Sequence, residues 1–282
     1  MKIIRNISEM QSASRAVLQA RKRLGFVPTM GALHEGHLSL VRAAKARCEV
    51  VAASIFVNPL QFGPQEDLAK YPRNFERDCD LLTKEGVDYL FAPSVEEMYP
   101  NGAVTQVVVE GLSDRLCGKS RPGHFHGVTT VVAKLFHIVE PDIAFFGEKD
   151  AAQVAIIRHM VRDLNFPVEI AVYPIVRERD GLAMSSRNAY LNAEERKSAL
   201  ALYRSLMAVQ KLFELGERNA GILMAAGEKT FAENQSARLD YFEIVDPDTL
   251  APVKTMVGPA LAAIAGFVGT TRLIDNILLT RD

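Results

Sequence analysis

The most constraining feature of this sequence is an alternation of short apolar runs with amphipathic stretches over residues 1–176. The clearest run, 50–57, is interrupted only by Ser54, as expected for a strand buried on both faces. The stretches between the runs carry apolar residues at helical spacing. Strands that alternate with helices in this way predict an α/β fold with a parallel, Rossmann-like sheet. We predict helices at 8–23, 37–47, 75–85, 127–139 and 151–164, and strands at 24–27, 50–57, 87–91, 105–109, 143–146 and 168–176.

The pattern changes after residue 176. Residues 178–192 are typical of a loop, and 193–234 are rich in helix formers, which predicts two helices. Residues 239–246 and 260–280 predict a small sheet, in which GPALAAIAGFVG is a strand pair or an interface segment. We therefore predict two domains, a Rossmann-like domain at 1–176 and a smaller α+β domain at 177–282.

Charge and cysteine content restrict the class of protein. The 33 basic and 34 acidic side chains give a net charge of -1, which offers no electrostatic reason to expect nucleic acid or a membrane surface as a partner. The three cysteines are an odd number without a C-x-x-C pair, which favours a reducing, cytoplasmic location over a disulfide framework. The N-terminus lacks the apolar core of a signal peptide, and the apolar stretch 259–268 is too short to span a bilayer.

Because ligands of parallel sheets bind where strands end, the segments after the predicted strands are the candidate sites. The first, PTMGALHEGH, joins a strand to a helix and places His34 and His37 three residues apart. Helix N-termini bind phosphate through free N–H groups, and two imidazoles there can donate hydrogen bonds to a polyphosphate. A surface turn and a zinc site are the alternatives for the same pattern.

Two further segments carry polar side chains suited to a small anionic substrate. FVNPLQFG supplies the amides of Asn58 and Gln61, although Asn-Pro is also a simple turn signal. CGKSRPGHFHGV supplies Arg121, which can pair with a carboxylate or phosphate. Its histidines, His124 and His126, could instead complete a four-histidine zinc set with the two of the first segment.

The last two segments carry cationic groups. FFGEKDAAQ contains Lys149, a point charge able to reach a phosphate, and Asp150, which suits a helix N-cap as well as a functional role. GLAMSSRNAYL places two hydroxyls and the guanidinium of Arg187 in a polar loop. Such a loop can clamp a triphosphate, and it can equally be a plain interdomain connection.

Together the segments resemble one family. His34-Glu35-Gly36-His37 resembles the H-x-G-H signature of the nucleotidyltransferase superfamily, and Met184-Ser185-Ser186-Arg187 its second, mobile-loop signature. The longer strings PTMGALHEGH, FVNPLQF, FFGEKDAAQ and MSSRN resemble the pantothenate synthetases across at least residues 26–191. The resemblance implies a ligase that joins (R)-pantoate to β-alanine with ATP and Mg²⁺. Pantoyl-adenylate is the implied intermediate, pantothenate, AMP and pyrophosphate are the products, and a homodimer is the implied assembly.

The resemblance also implies roles for individual residues. His37, His34, Lys149 and Arg187 are expected to be catalytic, and no side chain is assigned as a metal ligand. The smaller domain is expected to form a lid over the site. The implied ATP-binding residues are Met30, Gly31, Ala32, Leu33, His34, Glu35, Gly36, His37, Gly147, Glu148, Lys149, Asp150, Val176, Met184, Ser185, Ser186 and Arg187. The implied substrate-binding residues are Gln61, Gln153, Asn58, Tyr71 and Arg121.

Three other classes of function compete with this interpretation. An oxidoreductase on a dinucleotide fold is disfavoured because no G-x-G-x-x-G connects the first strand to its helix. A zinc hydrolase that uses the histidines is the second alternative. A binding module without catalysis is the third, and five polar segments, most of them at strand ends, disfavour it.

Overall fold

The computed structural model describes residues 1–64 and 66–280, in which the chain forms two compact units. The first comprises residues 1–113, 121–148 and 156–174, and the second comprises 114–120, 149–155 and the chain from residue 175 onward. The strands are β1 (Lys2–Ile4), β2 (Leu24–Thr29), β3 (Val50–Ile55), β4 (Tyr89–Phe91), β5 (Ile143–Gly147), β6 (Glu169–Tyr173), β7 (Ala237–Val245), β8 (Ala260–Val268) and β9 (Thr271–Leu279). The helices are α1 (Ile7–Gln19), α2 (Glu35–Arg47), α3 (Phe75–Lys84), α4 (Val95–Met98), α5 (Cys117–Ser120), α6 (His124–Val139), α7 (Ala151–Asp163), α8 (Ala193–Ser198), α9 (Leu200–Glu214) and α10 (Ala220–Ala232).

The first unit contains a six-stranded parallel sheet in the order β1-β4-β3-β2-β5-β6. Strand β2 lies between β3 on one side and β5 on the other. The chain therefore changes direction across the sheet at β2, which is the kind of switch point where α/β sheets bind ligands. The predicted α/β class with a parallel sheet is confirmed.

The apolar runs that predicted the central strands form the core of this sheet. Val27, Val51, Ala53 and Leu90 are fully buried on strands β2, β3 and β4. Helix α2 covers them with its own apolar side chains, such as Val41. Burial on both faces explains why these strands read as continuous apolar runs and not as alternating ones.

The second unit contains a three-stranded antiparallel sheet in the order β7-β8-β9. Helices α9 and α10 pack on this sheet, and their buried side chains Leu206 and Leu223 share a core with Ile264 of β8. Strand β8 is the centre of the sheet and is almost entirely buried, which explains the unusually apolar composition of this segment. It is one strand, so the predicted strand pair is wrong.

Two other predicted elements differ from the structure. Residues 105–109 are not a strand: the Val107 N–H donates to Thr130 Oγ1 at 3.0 Å, and its carbonyl accepts from Thr129 Oγ1 at 2.5 Å. Side chains of α6 thus take the backbone groups that a neighbouring strand would have paired. The helical region 193–234 contains three helices, because α8 and α9 are separated at Ala199 alone.

Within residues 1–64 and 66–280, no helix is both long and apolar enough to span a bilayer.

Candidate active site

The loop that follows β2 is held by hydrogen bonds from two other elements. The hydroxyl of Thr29 donates to the Ser54 carbonyl of β3 at 2.7 Å. The Asp78 carboxylate on α3 accepts from the backbone N–H of Ala32 at 2.8 Å and of Leu33 at 2.9 Å. Asp78 is 1% exposed, so this charge is buried and satisfied by backbone donors. The loop conformation therefore depends on a carboxylate far away in the sequence.

His34 and His37 form a reciprocal cap at the start of α2. The Nδ1 of His34 accepts from the Gly36 N–H at 3.2 Å, and the Nδ1 of His37 accepts from the His34 N–H at 3.3 Å. The ring centroids are 4.1 Å apart. A backbone N–H can only donate, so neither Nδ1 carries a proton. Each neutral ring consequently carries its proton on Nε2, where it can donate a hydrogen bond.

This geometry suits an anionic ligand. The N-terminus of a helix attracts negative charge through its dipole and its free N–H groups. Two imidazoles with Nε2–H donors at the same place add side-chain donors to the backbone ones. The arrangement supports phosphate binding, which was one of three interpretations of H-x-x-H left open by the sequence.

Gln61 follows β3 in a short 3-10 turn, Pro59–Gln61, and is almost fully buried. Its Nε2 contacts the sulfur of Met30 at 2.9 Å, and its Oε1 accepts from Asn58 Nδ2 at 3.1 Å. These bonds use one donor and one lone pair of an amide that has two of each. Gln61 is thus held in place beside the β2 loop with hydrogen-bonding capacity remaining.

Asn58 is buried, and its hydrogen bonds are complete. Its Oδ1 accepts from Leu60 N at 3.2 Å and from Tyr99 OH at 2.9 Å, while Nδ2 donates to Gln61 and to Gly127 O at 3.0 Å. Burial raises the pKa of Tyr99 above its usual range, so this phenol remains a donor at neutral pH. The structure gives Asn58 the role of fixing the turn that carries Gln61.

Arg121 and His124 converge on the backbone of the same turn. Arg121 makes a two-pronged ion pair with Glu66, in which Nε donates to Oε1 at 2.9 Å. Its Nη2 also donates to the Gln61 carbonyl at 3.2 Å, and His124 Nδ1 contacts that carbonyl at 2.8 Å. Arg121 Nη1 lies 3.0 Å from His124 Nε2. Tyr71 is buried near this region, with its ring 5.9 Å from that of Phe62.

The four-histidine zinc set has no support in these contacts. Both ring nitrogens of His124 are already engaged, one by a carbonyl and one by a guanidinium. In the described part of the chain, no three His, Cys, Asp or Glu side chains gather into a group that could hold a metal ion.

The second unit holds Lys149 and Gln153. Lys149 lies in a 3-10 turn, Glu148–Asp150, that leads into α7, and its carbonyl accepts from Asn276 Nδ2 of β9 at 2.8 Å. Lys149 Nζ lies 4.0 Å from Asp150, and the lysine side chain is 19% exposed. Gln153 lies in the first turn of α7. The turn thus holds a mostly buried ammonium group at a helix entrance.

The segment Val176–Arg187 also belongs to the second unit and is a hydrogen-bonded turn. Met184 N donates to the Val176 carbonyl at 3.0 Å, and Ser185 Oγ accepts from Arg187 N at 3.2 Å. Arg177 anchors the segment by a two-pronged pair with Asp275 at 2.6 and 2.9 Å. Burial raises the pKa of Asp275, although Arg177 acts in the opposite direction. The MSSR residues are therefore presented by a turn that is tied to β9.

Several supporting residues were not predicted from the sequence. Asp78, Glu66, Tyr99 and Gly127 hold the loop and the turn through contacts between residues that are far apart in the chain. Only the segment around His124 carried a local signal, and the zinc alternative considered for it has no support in the contacts of this ring. Among the predicted residues, the structure brings three into contact with Gln61. Met30 and Asn58 contact the side chain of Gln61, and Arg121 donates to the backbone carbonyl of Gln61.

Known proteins of one kind match this chain over its length. The family described as Pantoate-beta-alanine ligase matches residues 2–278. The pantothenate synthetase of Koribacter versatilis is 58% identical over 279 residues, which cover 99% of this chain and 96% of the relative. That of Acidobacterium capsulatum is 64% identical over 258 residues, 92% of this chain and 86% of the relative.

Solved structures agree. A pantothenate synthetase from Thermus thermophilus matches with a TM-score of 0.95 and 49% identity, and each chain is covered completely. A pantoate-beta-alanine ligase from Francisella tularensis, complexed with beta-gamma ATP and beta-alanine, matches with a TM-score of 0.81 and 35% identity. That match covers 99% of this chain and 97% of the other.

Proposed function

Because this chain belongs to the pantoate–β-alanine ligase family, we propose that its paired histidines and its lysine-bearing turn drive the ATP-dependent condensation of (R)-pantoate with β-alanine. The enzyme is an AMP-forming carbon–nitrogen ligase. In the first step, the pantoate carboxylate attacks the α-phosphorus of ATP and pyrophosphate leaves. In the second, the β-alanine amine attacks the acyl carbon of pantoyl-adenylate, and AMP leaves with the formation of pantothenate.

The observation that carries the proposal is the histidine cap of α2. Both reactants of the first step are anions, so donors must hold them together and stabilise charge that develops on the phosphates. His34 and His37 present Nε2–H donors at a helix N-terminus, which meets this need. His37 acts as the principal donor to the leaving phosphates, with His34 beside it.

Lys149 and Arg187 supply positive charge to the same phosphates. Lys149 is mostly buried, which strengthens its interaction with an anion. Arg187 supplies a planar fork of donors suited to phosphate oxygens. The proposed nucleotide site consists of Met30, Gly31, Ala32, Leu33, His34, Glu35, Gly36, His37, Gly147, Glu148, Lys149, Asp150, Val176, Met184, Ser185, Ser186 and Arg187.

Pantoate is bound by Gln61 and Gln153, whose amides can donate to the carboxylate and accept from the hydroxyls. Asn58 and Arg121 contribute through Gln61, since each of them is hydrogen-bonded to that residue. Tyr71 contributes apolar surface. Mg²⁺ would enter with ATP, because phosphate oxygens and water are its usual ligands, and its charge would offset that of the phosphates.

The enzyme functions in the cytoplasm as a homodimer, and the second unit closes over bound ATP. The odd cysteine count without a C-x-x-C pair is consistent with a reducing compartment. Closure would exclude water, which otherwise hydrolyses an acyl-adenylate.

Product analysis tests the reaction. The protein is incubated with ATP and Mg²⁺, with and without pantoate and β-alanine, and AMP, ADP and pyrophosphate are resolved. We expect AMP and pyrophosphate in equal amounts, with sustained AMP release only when both substrates are present. ADP in place of AMP would show an acyl-phosphate route and contradict the proposal.

Single-turnover adenylation tests the residues. His37→Ala and Lys149→Ala are expected to slow adenylate formation by roughly 10²–10³-fold, the usual effect of losing one charge-stabilising contact. His37→Gln keeps an N–H at the position of Nε2 and should retain more activity than His37→Ala. Near-normal adenylation by a folded His37→Ala or Lys149→Ala protein would refute the role of that residue.

A further inference from the structure

The carbonyl of Gln61 accepts two hydrogen bonds from the segment that opens helix α6. Arg121 donates from Nη2 at 3.2 Å and His124 from Nδ1 at 2.8 Å. Both donors are 60 or more residues away along the chain, at separations of 60 and 63. They bond to the backbone of Gln61, so they leave its side-chain amide directed toward Met30 and Asn58.

The partners of His124 define its protonation state. A carbonyl can only accept, so Nδ1, 2.8 Å from the Gln61 carbonyl, carries a proton. A guanidinium can only donate, so Nε2, 3.0 Å from Arg121 Nη1, carries none. His124 is therefore a neutral ring of one tautomer, which links Arg121 to the Gln61 backbone.

Glu66 fixes the orientation of this link. It accepts from Arg121 Nε at 2.9 Å and from Nη2. The remaining Nη2 hydrogen then points to Gln61, and an Nη1 hydrogen points to His124. The side chains of Arg121 and Glu66 are 14% and 24% exposed, so water competes little for these bonds.

Close backbone packing against α6 also restricts the movement of residues 58–61. A Cβ on Gly127 of α6 would lie 2.2 Å from the Leu60 carbonyl oxygen and 2.6 Å from the Gln61 nitrogen. The Gly127 carbonyl accepts from Asn58 at 3.0 Å. The first turns of α6 therefore form a rigid support for residues 58–61.

We propose that Glu66, Arg121 and His124 are positioning residues that set the affinity for pantoate through the backbone of Gln61, without contacting the acid. This inference rests on the proposed role of Gln61 in binding pantoate. A displaced turn moves the Gln61 amide away from the acid, while the histidine cap of α2 keeps its own bonds. The KM for pantoate should therefore change, and the KM for ATP should not.

Two His124 variants separate positioning from general damage. The Nδ2 of His124→Asn can replace Nδ1 as the donor to the Gln61 carbonyl, whereas His124→Gln places its amide near Nε2 and loses that donor. We expect His124→Gln and Glu66→Gln to raise the KM for pantoate by roughly ten-fold, with kcat and the KM for ATP within about two-fold of wild type. His124→Asn should stay within about three-fold of wild type for all three constants.

Asp240→Asn is the matched control. Asp240 pairs with Arg272 at 2.7 Å, and their side-chain exposures of 17% and 15% are close to those of the Glu66 pair. The pair joins β7 to β9 within the second unit, whereas the turn that carries Gln61 belongs to the first. The Asp240→Asn protein should have a lower thermal midpoint of unfolding and an unchanged KM for pantoate. Gln61→Ala tests the proposed role of Gln61 separately from the positioning role, because this variant removes the amide that is proposed to contact pantoate.

The outcomes are distinct. A pantoate KM that is unchanged in folded Glu66→Gln and His124→Gln but raised in Gln61→Ala overturns the positioning role alone. An unchanged pantoate KM in Gln61→Ala overturns the substrate role of Gln61 and the inference with it. Equal defects in His124→Asn and His124→Gln, or parallel rises in every KM, also contradict the proposal. If His124→Gln does not fold, Glu66→Gln and Arg121→Lys test the proposal in the same way, by a raised KM for pantoate with an unchanged KM for ATP.

Discussion

At the scale of single residues, Asp78 holds the loop that leads from β2 to His34. Each of its oxygens accepts one backbone N–H of the loop, at 2.8 and 2.9 Å. In Asp78→Asn, the amide nitrogen replaces one acceptor and faces a backbone donor. We expect a loss of about 1–3 kcal/mol in the free energy of unfolding, the usual effect of a buried unsatisfied donor. The KM for ATP should rise as well, and urea unfolding and steady-state kinetics measure the two effects.

Asp142 provides the control for that prediction. Its Oδ2 accepts from Leu24 N at 2.6 Å, at the opposite end of the same strand β2. Asp142→Asn should weaken the fold without changing the KM for ATP. If both variants shift the KM equally, the effect reports loss of stability and not of the loop conformation.

Asp78 also shows where sequence reasoning stops. The H-x-G-H segment was recognisable because its bonds are local: His34 and His37 cap the helix that they begin. The bonds of Asp78 join residues 45 and 46 positions apart, and nothing in ERDCD distinguishes this carboxylate from its neighbours. His124 is the converse case. The sequence marks it as a candidate residue, but its partners, Arg121 and the Gln61 carbonyl, are set by the fold and not by the local sequence.

At the scale of elements, the turn at Gly181 supports the segment that presents Met184 and Arg187. Gly181 has φ +100°, and a Cβ there would lie 2.1 Å from the Tyr203 ring. Gly181→Ala is therefore expected to combine backbone strain of about 1–3 kcal/mol with a clash against α9. Thermal and urea unfolding should show the loss of stability.

Gly216→Ala separates the two causes. Gly216 has nearly the same backbone angle, φ +102°, but apart from its immediate chain neighbours no atom of the described chain lies within 4 Å of an added Cβ. This variant carries the strain without the clash, so it should be destabilised clearly less than Gly181→Ala. Equal losses of unfolding free energy in the two variants would mean that Tyr203 moves aside and that the close contact does not affect stability.

The elements themselves were predicted where one physical cause dominated. Strands β2, β3 and β5 followed from continuous burial, and the helix 127–139 was confirmed as part of α6. Periodicity failed at 105–109, where the composition suits a strand but α6 hydroxyls take the backbone bonds of Val107. Periodicity also failed to predict the break between α8 and α9. The break is a single residue, Ala199, whose φ of -59° and ψ of -25° are nearly helical, so it leaves the spacing of the apolar residues almost unchanged.

At the scale of the whole molecule, residues 103–110 offer a way for two copies to associate. The segment forms no helix or strand and is rich in β-branched residues, with Val104 90% and Val108 46% exposed. The backbone groups of Val107 bond to α6 on one side. In an extended chain the groups of the neighbouring residues point to the other side, where an antiparallel strand could pair. A two-fold axis brings the same segment of a second copy into that orientation.

We therefore expect Val108→Asp to convert the proposed homodimer to a monomer, because it places two carboxylates near the axis, where like charges repel and apolar surface is lost. Sedimentation velocity over a range of protein concentrations measures the change. Val257→Asp, at a fully exposed valine of the second unit, introduces the same charge elsewhere and should leave the assembly intact. Dimers that persist in Val108→Asp would exclude this segment as the interface. A monomeric wild-type protein with full activity would instead show that each chain carries out the whole reaction alone, in which case the exposed valines require another explanation.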